Sequence, residues 1–355
     1  MIIAGAGLAG ACAALALGHR YRVLVLEAAV PGTGASGAAA GLVHGFPGRT
    51  ARPAWRHAEA LDALETVLVD AAAGSGAARP LLRRSGVLRP ARDAAQAEAF
   101  RETARAHPAE TDWLAPGAAR ERFPDVVARE GALWICRGGH ARLPELVRAL
   151  LAAAAARGAS LHAGRALTRF AATAEGVRAE TTTGPLAARF LVLAPGADLP
   201  ALPGLPPLPL HAVKGQTVRL APPETLGPLP AVAGGTYLVP EGDALVVGAT
   251  FEHRFADRAP DPAASRRLHE AATRLVPALG RAVLLGARAG VRMTVPATHS
   301  PRRLPLLAPL PDRPRVWVFS GLGAKGLLLA PLLAAQLPDW LEAPARRWPE
   351  LPALG

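Results

Sequence analysis

Six residues near the start of the chain, Gly5-Ala6-Gly7-Leu8-Ala9-Gly10, constrain the fold more than anything else in the sequence. Met1 to Ala4 before them reads as a short apolar strand, and Ala11 to Leu17 after them as a helix of small residues. Tyr21 to Leu26 then alternates as a second strand that ends at Glu27. Strand, glycine turn, helix, strand and acid together form the dinucleotide-binding fingerprint in its required setting. Gly5 permits the tight turn, Gly7 lets the backbone approach a pyrophosphate, and Gly10 allows close helix packing. The helix N-terminus offers its free N–H groups to the anion. Glu27, 17 residues after Gly10, can accept hydrogen bonds from ribose hydroxyls and would repel a 2′-phosphate, which disfavours NADP.

Composition narrows the class. The 355 residues are 50% hydrophobic and 19% charged, enough for a large buried core and too apolar for disorder. The 36 Gly and 35 Pro follow no period, which excludes collagen-like and coiled-coil chains. Cys12 and Cys136, the only cysteines, make no disulfide framework and no metal cluster, and no metal site is expected. No leader is visible at the N-terminus, and no membrane span is expected because Val316 to Leu337 is broken by glycines, Lys325 and Pro331. A cytoplasmic location is the expectation. The net charge of +12 points either to a polyanionic partner or to coding bias: Lys214 and Lys325 are the only lysines among 40 basic residues. Arg83-Arg84, Arg302-Arg303 and Arg346-Arg347 are either RNA contacts or solvated faces.

The segment after Glu27 bears on which dinucleotide binds. Gly34-Ala35-Ser36-Gly37-Ala38-Ala39-Ala40-Gly41-Leu42-Val43 has no helical stripe and is either a surface loop or a backbone laid against a flat ring. Together with motifs along nearly the whole chain it resembles the D-amino acid oxidase and glycine oxidase superfamily of FAD-dependent enzymes. Those motifs are Gly138-Gly139 followed by Leu143-Pro144-Glu145-Leu146, the strand Phe190 to Leu193 with Ala194-Pro195-Gly196, Val213-Lys214-Gly215-Gln216, and Tyr237-Leu238-Val239-Pro240. Gly290-Val291-Arg292 and Gly321-Leu322-Gly323-Ala324-Lys325-Gly326 complete the series. The C-terminal motifs are also similar to the oxidase half of the bifunctional enzyme that removes the glycine unit from 5-carboxymethylaminomethyl-uridine at the tRNA wobble position. That family usually carries Ser and Arg where Ala324 and Lys325 stand.

The resemblance implies an α/β fold, with a Rossmann-like FAD-binding domain (1–85, 135–205 and 290–355) interleaved with a strand-rich α+β substrate domain (86–134 and 206–289). It implies non-covalent FAD, since no cysteine lies near Arg292 or Lys325. It places Ala35, Ser36 and Gly41 along the isoalloxazine, and Ala166, Ala194 and Gly196 on the cofactor side. Gly321, Gly323 and Gly326 would approach the flavin N1–O2 edge, where helix N–H groups suit anionic charge.

Three residues are the catalytic candidates. Arg292 sits among small and apolar residues, where an unpaired guanidinium is costly, and its fork matches a carboxylate; the alternative is a structural ion pair. Tyr237 either bonds the substrate or is a core tyrosine with its hydroxyl at the rim. Lys325 either adds charge at the flavin edge or points to solvent. Lys214, His44 and His140 are weaker candidates, His140 as a cap or surface group. The implied reaction is FAD-dependent oxidation of a glycine-like or N-substituted glycine amine, free or carried on modified tRNA, with oxygen or another acceptor taking the electrons. The remaining reading is a flavin-bearing RNA-binding protein without turnover, which peroxide release would exclude.

Overall fold

The computed structural model describes residues 1–76 and 80–354. A six-stranded sheet runs in the order Leu306–Leu310, Arg313–Ser320, Leu191–Leu193, Ile2–Ala4, Leu24–Glu27, Ser160–Ala163. All neighbours are parallel except the first pair. Buried on both faces, its inner strands are continuous apolar runs such as Ile2-Ile3-Ala4 and Leu191-Val192-Leu193. Helices Leu8–Leu17, His57–Ser75, Leu143–Ala156 and Gly326–Glu342 contribute to one apolar core against it. A three-stranded antiparallel layer, Leu167–Ala172, Val177–Thr181 and Leu186–Ala188, packs through Phe170, Val177 and Ala179 on the other side.

An eight-stranded sheet forms the second half, in the order Val283–Thr294, His211–Ala221, Ala244–Gly248, Tyr237–Glu241, Ala231–Ala233, Val87–Pro90, Ala132–Ile135, Thr111–Leu114. Helix Pro262–Leu275 packs on it through Leu268, Ala272 and Leu275. The two halves are interleaved in sequence, and the mixed α/β architecture matches the expectation. The boundary drawn at 290 needs correction. It falls inside strand Val283–Thr294, so Gly290 and Arg292 are continuous with the eight-stranded sheet, paired to Gly215 and Val213.

Other local differences have simple causes. The first helix begins at Leu8, because Gly7 in extended conformation acts as its N-cap. The small-residue segment contains a one-turn helix, Ala35–Ala38, which Ala, Ser and Gly form without any periodic signature. Helix Ala94–Ala106 is capped by Asp93 and buries Gln96, Ala97, Phe100 and Thr103, so only its other face is solvated.

Candidate active site

A cavity of about 870 Å³ opens between the two sheets, near the upper end of the size of ligand sites. The glycine turn lines one end. Gly5 has φ +105°, and a β-carbon on it would lie 2.3 Å from the Ala194 carbonyl, so only glycine lets the two strand-end turns cross. Gly10 does not line the cavity: a β-carbon there would meet the Gly5 carbonyl at 1.9 Å, so its part is to seat the helix on the turn. Gly7 lies open beside Ser36, whose Oγ accepts the Leu8 N–H at 3.2 Å. Glu27 accepts the Ala6 N–H at 2.8 Å and the Ala29 N–H at 3.0 Å.

Ala35, Gly41, Ala194 and Gly196 also face the cavity. Nothing lies within 4 Å of a β-carbon on Gly34 or Gly196, which leaves a cradle that side chains would fill. Gly321, Gly323 and Gly326 line the opposite wall, at the N-terminus of helix Gly326–Glu342. An open helix N-terminus, an acid at the end of the second strand and a glycine-lined cleft fit a flavin dinucleotide. Ala166 is the exception. It lies outside the cavity, beyond Glu27, and its N–H is bonded to Thr182 Oγ1.

At the other end, strand Val283–Thr294 brings Arg292 into the cavity and strand Tyr237–Glu241 brings Tyr237 beside it. The Arg292 guanidinium donates to the Thr250 carbonyl at 2.9 Å and lies over the Phe251 ring, 4.2 Å from its centroid. Its Nε is buried without a partner, and among the described residues no carboxylate forms an ion pair with it. Burial lowers its pKa, with Tyr237 acting the other way. Burial pushes the Tyr237 phenol up to about 12, against the pull of Arg292 and the Ala40 backbone. The phenol is therefore protonated throughout the neutral range.

Comparison with known proteins decides what this cavity belongs to. Residues 1–340 match the family model described as "FAD dependent oxidoreductase". The chain belongs to this family. A glycine oxidase of Geobacillus kaustophilus (strain HTA426) is 31% identical over 365 residues, covering 96% of this chain and 92% of the relative. The tRNA 5-methylaminomethyl-2-thiouridine biosynthesis bifunctional protein MnmC of Polaromonas naphthalenivorans (strain CJ2) is 32% identical over 95% of this chain. The match spans 56% of that bifunctional protein. The crystal structure of the glycine oxidase from Geobacillus kaustophilus superposes with a TM-score of 0.85 at 28% identity, covering 96% of this chain and 94% of that one. The chain is thus an FAD-dependent oxidoreductase of the glycine oxidase and MnmC type, and no helix of its described residues is long and apolar enough to cross a membrane.

Several candidates of this FAD-dependent oxidoreductase sit elsewhere than their sequence setting suggested. Lys325 borders the cavity, but its ammonium donates to the carbonyls of Arg302 (3.2 Å) and Arg303 (2.8 Å) and is committed to that loop. Burial, and then Arg303, lowers its pKa. Lys214 does not line the cavity; it is buried and reaches exposed Asp257 at 3.6 Å. His140 is neither cap nor surface group: it lies buried in strand Gly139–Ala141, its Nδ1 unpartnered. Of the basic pairs, Arg347 is half-buried and bonded to the carbonyls of Leu307, Leu351 and Pro352, tying down the C-terminal tail.

His44 does line the cavity. Its Nδ1 accepts the Phe46 N–H at 3.2 Å, which leaves the ring's other nitrogen to carry the proton. Burial, then Arg89, pushes its pKa down to about 3. Sequence reasoning missed Arg89 itself, together with Arg49, Arg92 and Gln96, which line the same cavity. The signal was there: Arg89 stands in Val87-Leu88-Arg89-Pro90-Ala91, a charge inside an apolar strand, as Arg292 does.

Proposed function

We propose that this enzyme oxidises the C–N bond of a glycine-like or N-substituted glycine amine, either free or carried on a modified wobble uridine of tRNA. Arg292 carries the reading. A buried guanidinium with an unpaired Nε, no opposing carboxylate and one face on an aromatic ring is organised to receive a carboxylate from the cavity. The six-stranded half with its glycine turn would hold FAD, and the eight-stranded half would hold the substrate. Retention of the flavin is non-covalent in this reading, since neither cysteine lines the cavity.

With Arg292 anchoring the carboxylate, the protonated Tyr237 hydroxyl is placed to donate to that carboxylate or accept from the amine. The Cα is then fixed between the eight-stranded sheet and the cofactor wall. Bound FAD supplies the electron acceptor: the Cα–H bond breaks, the hydrogen leaves with its electron pair, and water hydrolyses the resulting imine to an amine and an aldehyde or oxoacid. His44, with its pKa near 3 and its Nδ1 already engaged, is a poor base. The substrate amine must therefore lose its extra proton to solvent before oxidation. At the far wall, the N–H groups that open helix Gly326–Glu342 suit negative charge developing on the cofactor.

Anaerobic bleaching of the bound flavin by glycine, sarcosine and tRNA carrying carboxymethylaminomethyl-uridine tests the proposal. Bleaching by at least one of these is expected, with oxygen or another acceptor restoring the colour. Failure of all three in flavin-loaded protein would remove the reading.

A further inference from the structure

We propose that the cavity has a second anion-binding pole, built from Arg49, Arg89 and Arg92, and that the natural substrate carries a second anionic group far from the carbon that is oxidised. This rests on the amine-oxidation reading, with Arg292 as the first pole.

Five strand intervals separate the strand of Arg292 from the strand of Arg89 in the eight-stranded sheet, yet both residues line one cavity. At roughly 4.8 Å per interval, the two backbones stand about 24 Å apart along the sheet. A glycine unit, with one carbon between carboxylate and amine, occupies only the Arg292 end. The remaining length is lined by cations that it cannot reach.

The second pole is a built arrangement. Arg89 is 7% exposed, donates to the carbonyls of Phe46 and Gly48, and lies over the Phe100 ring with its Nε unpartnered. Those bonds fix the loop that carries Arg49. Gln96, 5% exposed, then couples the other two arginines: its Nε2 donates to the Arg49 carbonyl at 2.7 Å, while its Oε1 accepts the Arg92 backbone N–H at 3.0 Å and Nε–H at 3.3 Å. Arg49 also pairs with Asp93 at 2.8 Å. Three guanidiniums thus face one carboxylate, and among the described residues neither Arg89 nor Arg92 has an ion-pair partner. Holding like charges together beside a buried Arg89 is unfavourable for the empty protein. A bound anion offsets that cost, which a purely structural role would not require. Arg92 is exposed at the mouth, with its terminal nitrogens free to reach a ligand.

A phosphate and a carboxylate share the chemistry that such a pole recognises. The test is steady-state oxidation by the flavin-loaded enzyme of matched substrates with one or two anionic groups. One arm compares the nucleoside 5-carboxymethylaminomethyl-uridine with its 5′-monophosphate. The other compares sarcosine with glycines bearing a second carboxylate on N-alkyl chains of increasing length. In one arm the two-anion substrate should be preferred by about 10- to 100-fold in kcat/KM, mainly through KM. The arm in which the preference appears identifies the anion. Arg92→Gln should erase most of that preference, and so should high salt. Uridine 5′-monophosphate against uridine as inhibitors gives a readout independent of turnover for the phosphate arm.

Equal kcat/KM for one- and two-anion substrates in both arms, or a preference unchanged in Arg92→Gln, would overturn the second pole and leave the glycine reading standing. A flavin that none of these substrates reduces removes the oxidation reading, and this proposal with it.

Discussion

A β-carbon on Gly215 would lie 2.8 Å from Nη2 of Arg292. The two residues are diagonal neighbours across one antiparallel ladder, where Gly215 pairs with Gly290 and Arg292 with Val213. Glycine on the central strand therefore makes the slot into which the guanidinium folds. Gly290 does the same on its other side, since a β-carbon there would press on Ala35 and Ala38 at about 3 Å.

Gly215→Ala follows directly. The backbone of Gly215 is not left-handed, and the atom displaced is the end of a flexible side chain, so the fold should tolerate the change. The guanidinium should move by a few tenths of an ångström or more, which a preorganised site does not tolerate. KM for a glycine-like substrate should rise about tenfold, with the melting temperature nearly unchanged. Measuring both on the same preparation separates a shifted anchor from a weakened sheet.

Arg292→Ala should cost about 2–5 kcal/mol of transition-state binding, or roughly 30- to 4,000-fold in kcat/KM. Arg292→Lys keeps the charge but loses the planar fork, and should recover only part of that loss. Flavin content, read from the visible absorbance, should match wild type in both. A loss under about threefold in Arg292→Ala would mean that the carboxylate is held elsewhere.

Lys325→Met should act on stability more than on chemistry. The ammonium holds two carbonyls of the loop at Arg302 and Arg303, and Arg303 itself has φ +48°. Loss of those bonds should lower unfolding free energy by about 1–3 kcal/mol in urea titrations. The rate of flavin reduction should stay within about threefold. A much larger fall in that rate, with stability intact, would restore a direct role at the flavin edge.

What the sequence revealed depended on how local the physical requirement was. Gly5, Gly7 and Gly10 were legible because turn, approach and helix seating are all decided within ten residues. Arg292 was legible as a charge in an apolar segment, and Arg89 carried the same mark without being singled out. Lys325 could not be read correctly, because its partners lie 22 and 23 residues away in a loop with no pattern of its own. His140 was misplaced for a similar reason. Only the three-stranded sheet that joins it to Leu42 and Arg83 makes it interior. The boundary at 290 failed because a family motif, Gly290-Val291-Arg292, marks the end of a strand and not the start of a domain.

Tyr237 gives a test in the pH profile. Its phenol, pushed up to about 12 by burial, stays protonated from pH 7 to 10. Any rise in kcat/KM across that range therefore reports the substrate amine losing its proton. Tyr237→Phe should lie about tenfold below wild type, the worth of one hydrogen bond, on a profile of the same shape. A change of shape would mean that the phenol itself titrates during turnover.

His140 governs a different pH dependence, that of folding. Burial, and then Arg83, pushes its pKa down to about 4, against the opposing bond to the Pro240 carbonyl. An unfolded histidine titrates near 6.5. Between these values the unfolded chain binds a proton that the folded chain excludes, so stability must fall as pH drops from about 6.5 towards 4. Below about 4 this residue adds no further loss. His44, pushed down to about 3, acts in the same direction over a slightly wider window. His140→Gln should therefore flatten, without abolishing, the fall in unfolding free energy between pH 7 and pH 4.5, whatever it does to the absolute value. Urea titrations of both proteins across that range measure the slope, and identical slopes would show that the His140 ring takes up a proton inside the fold.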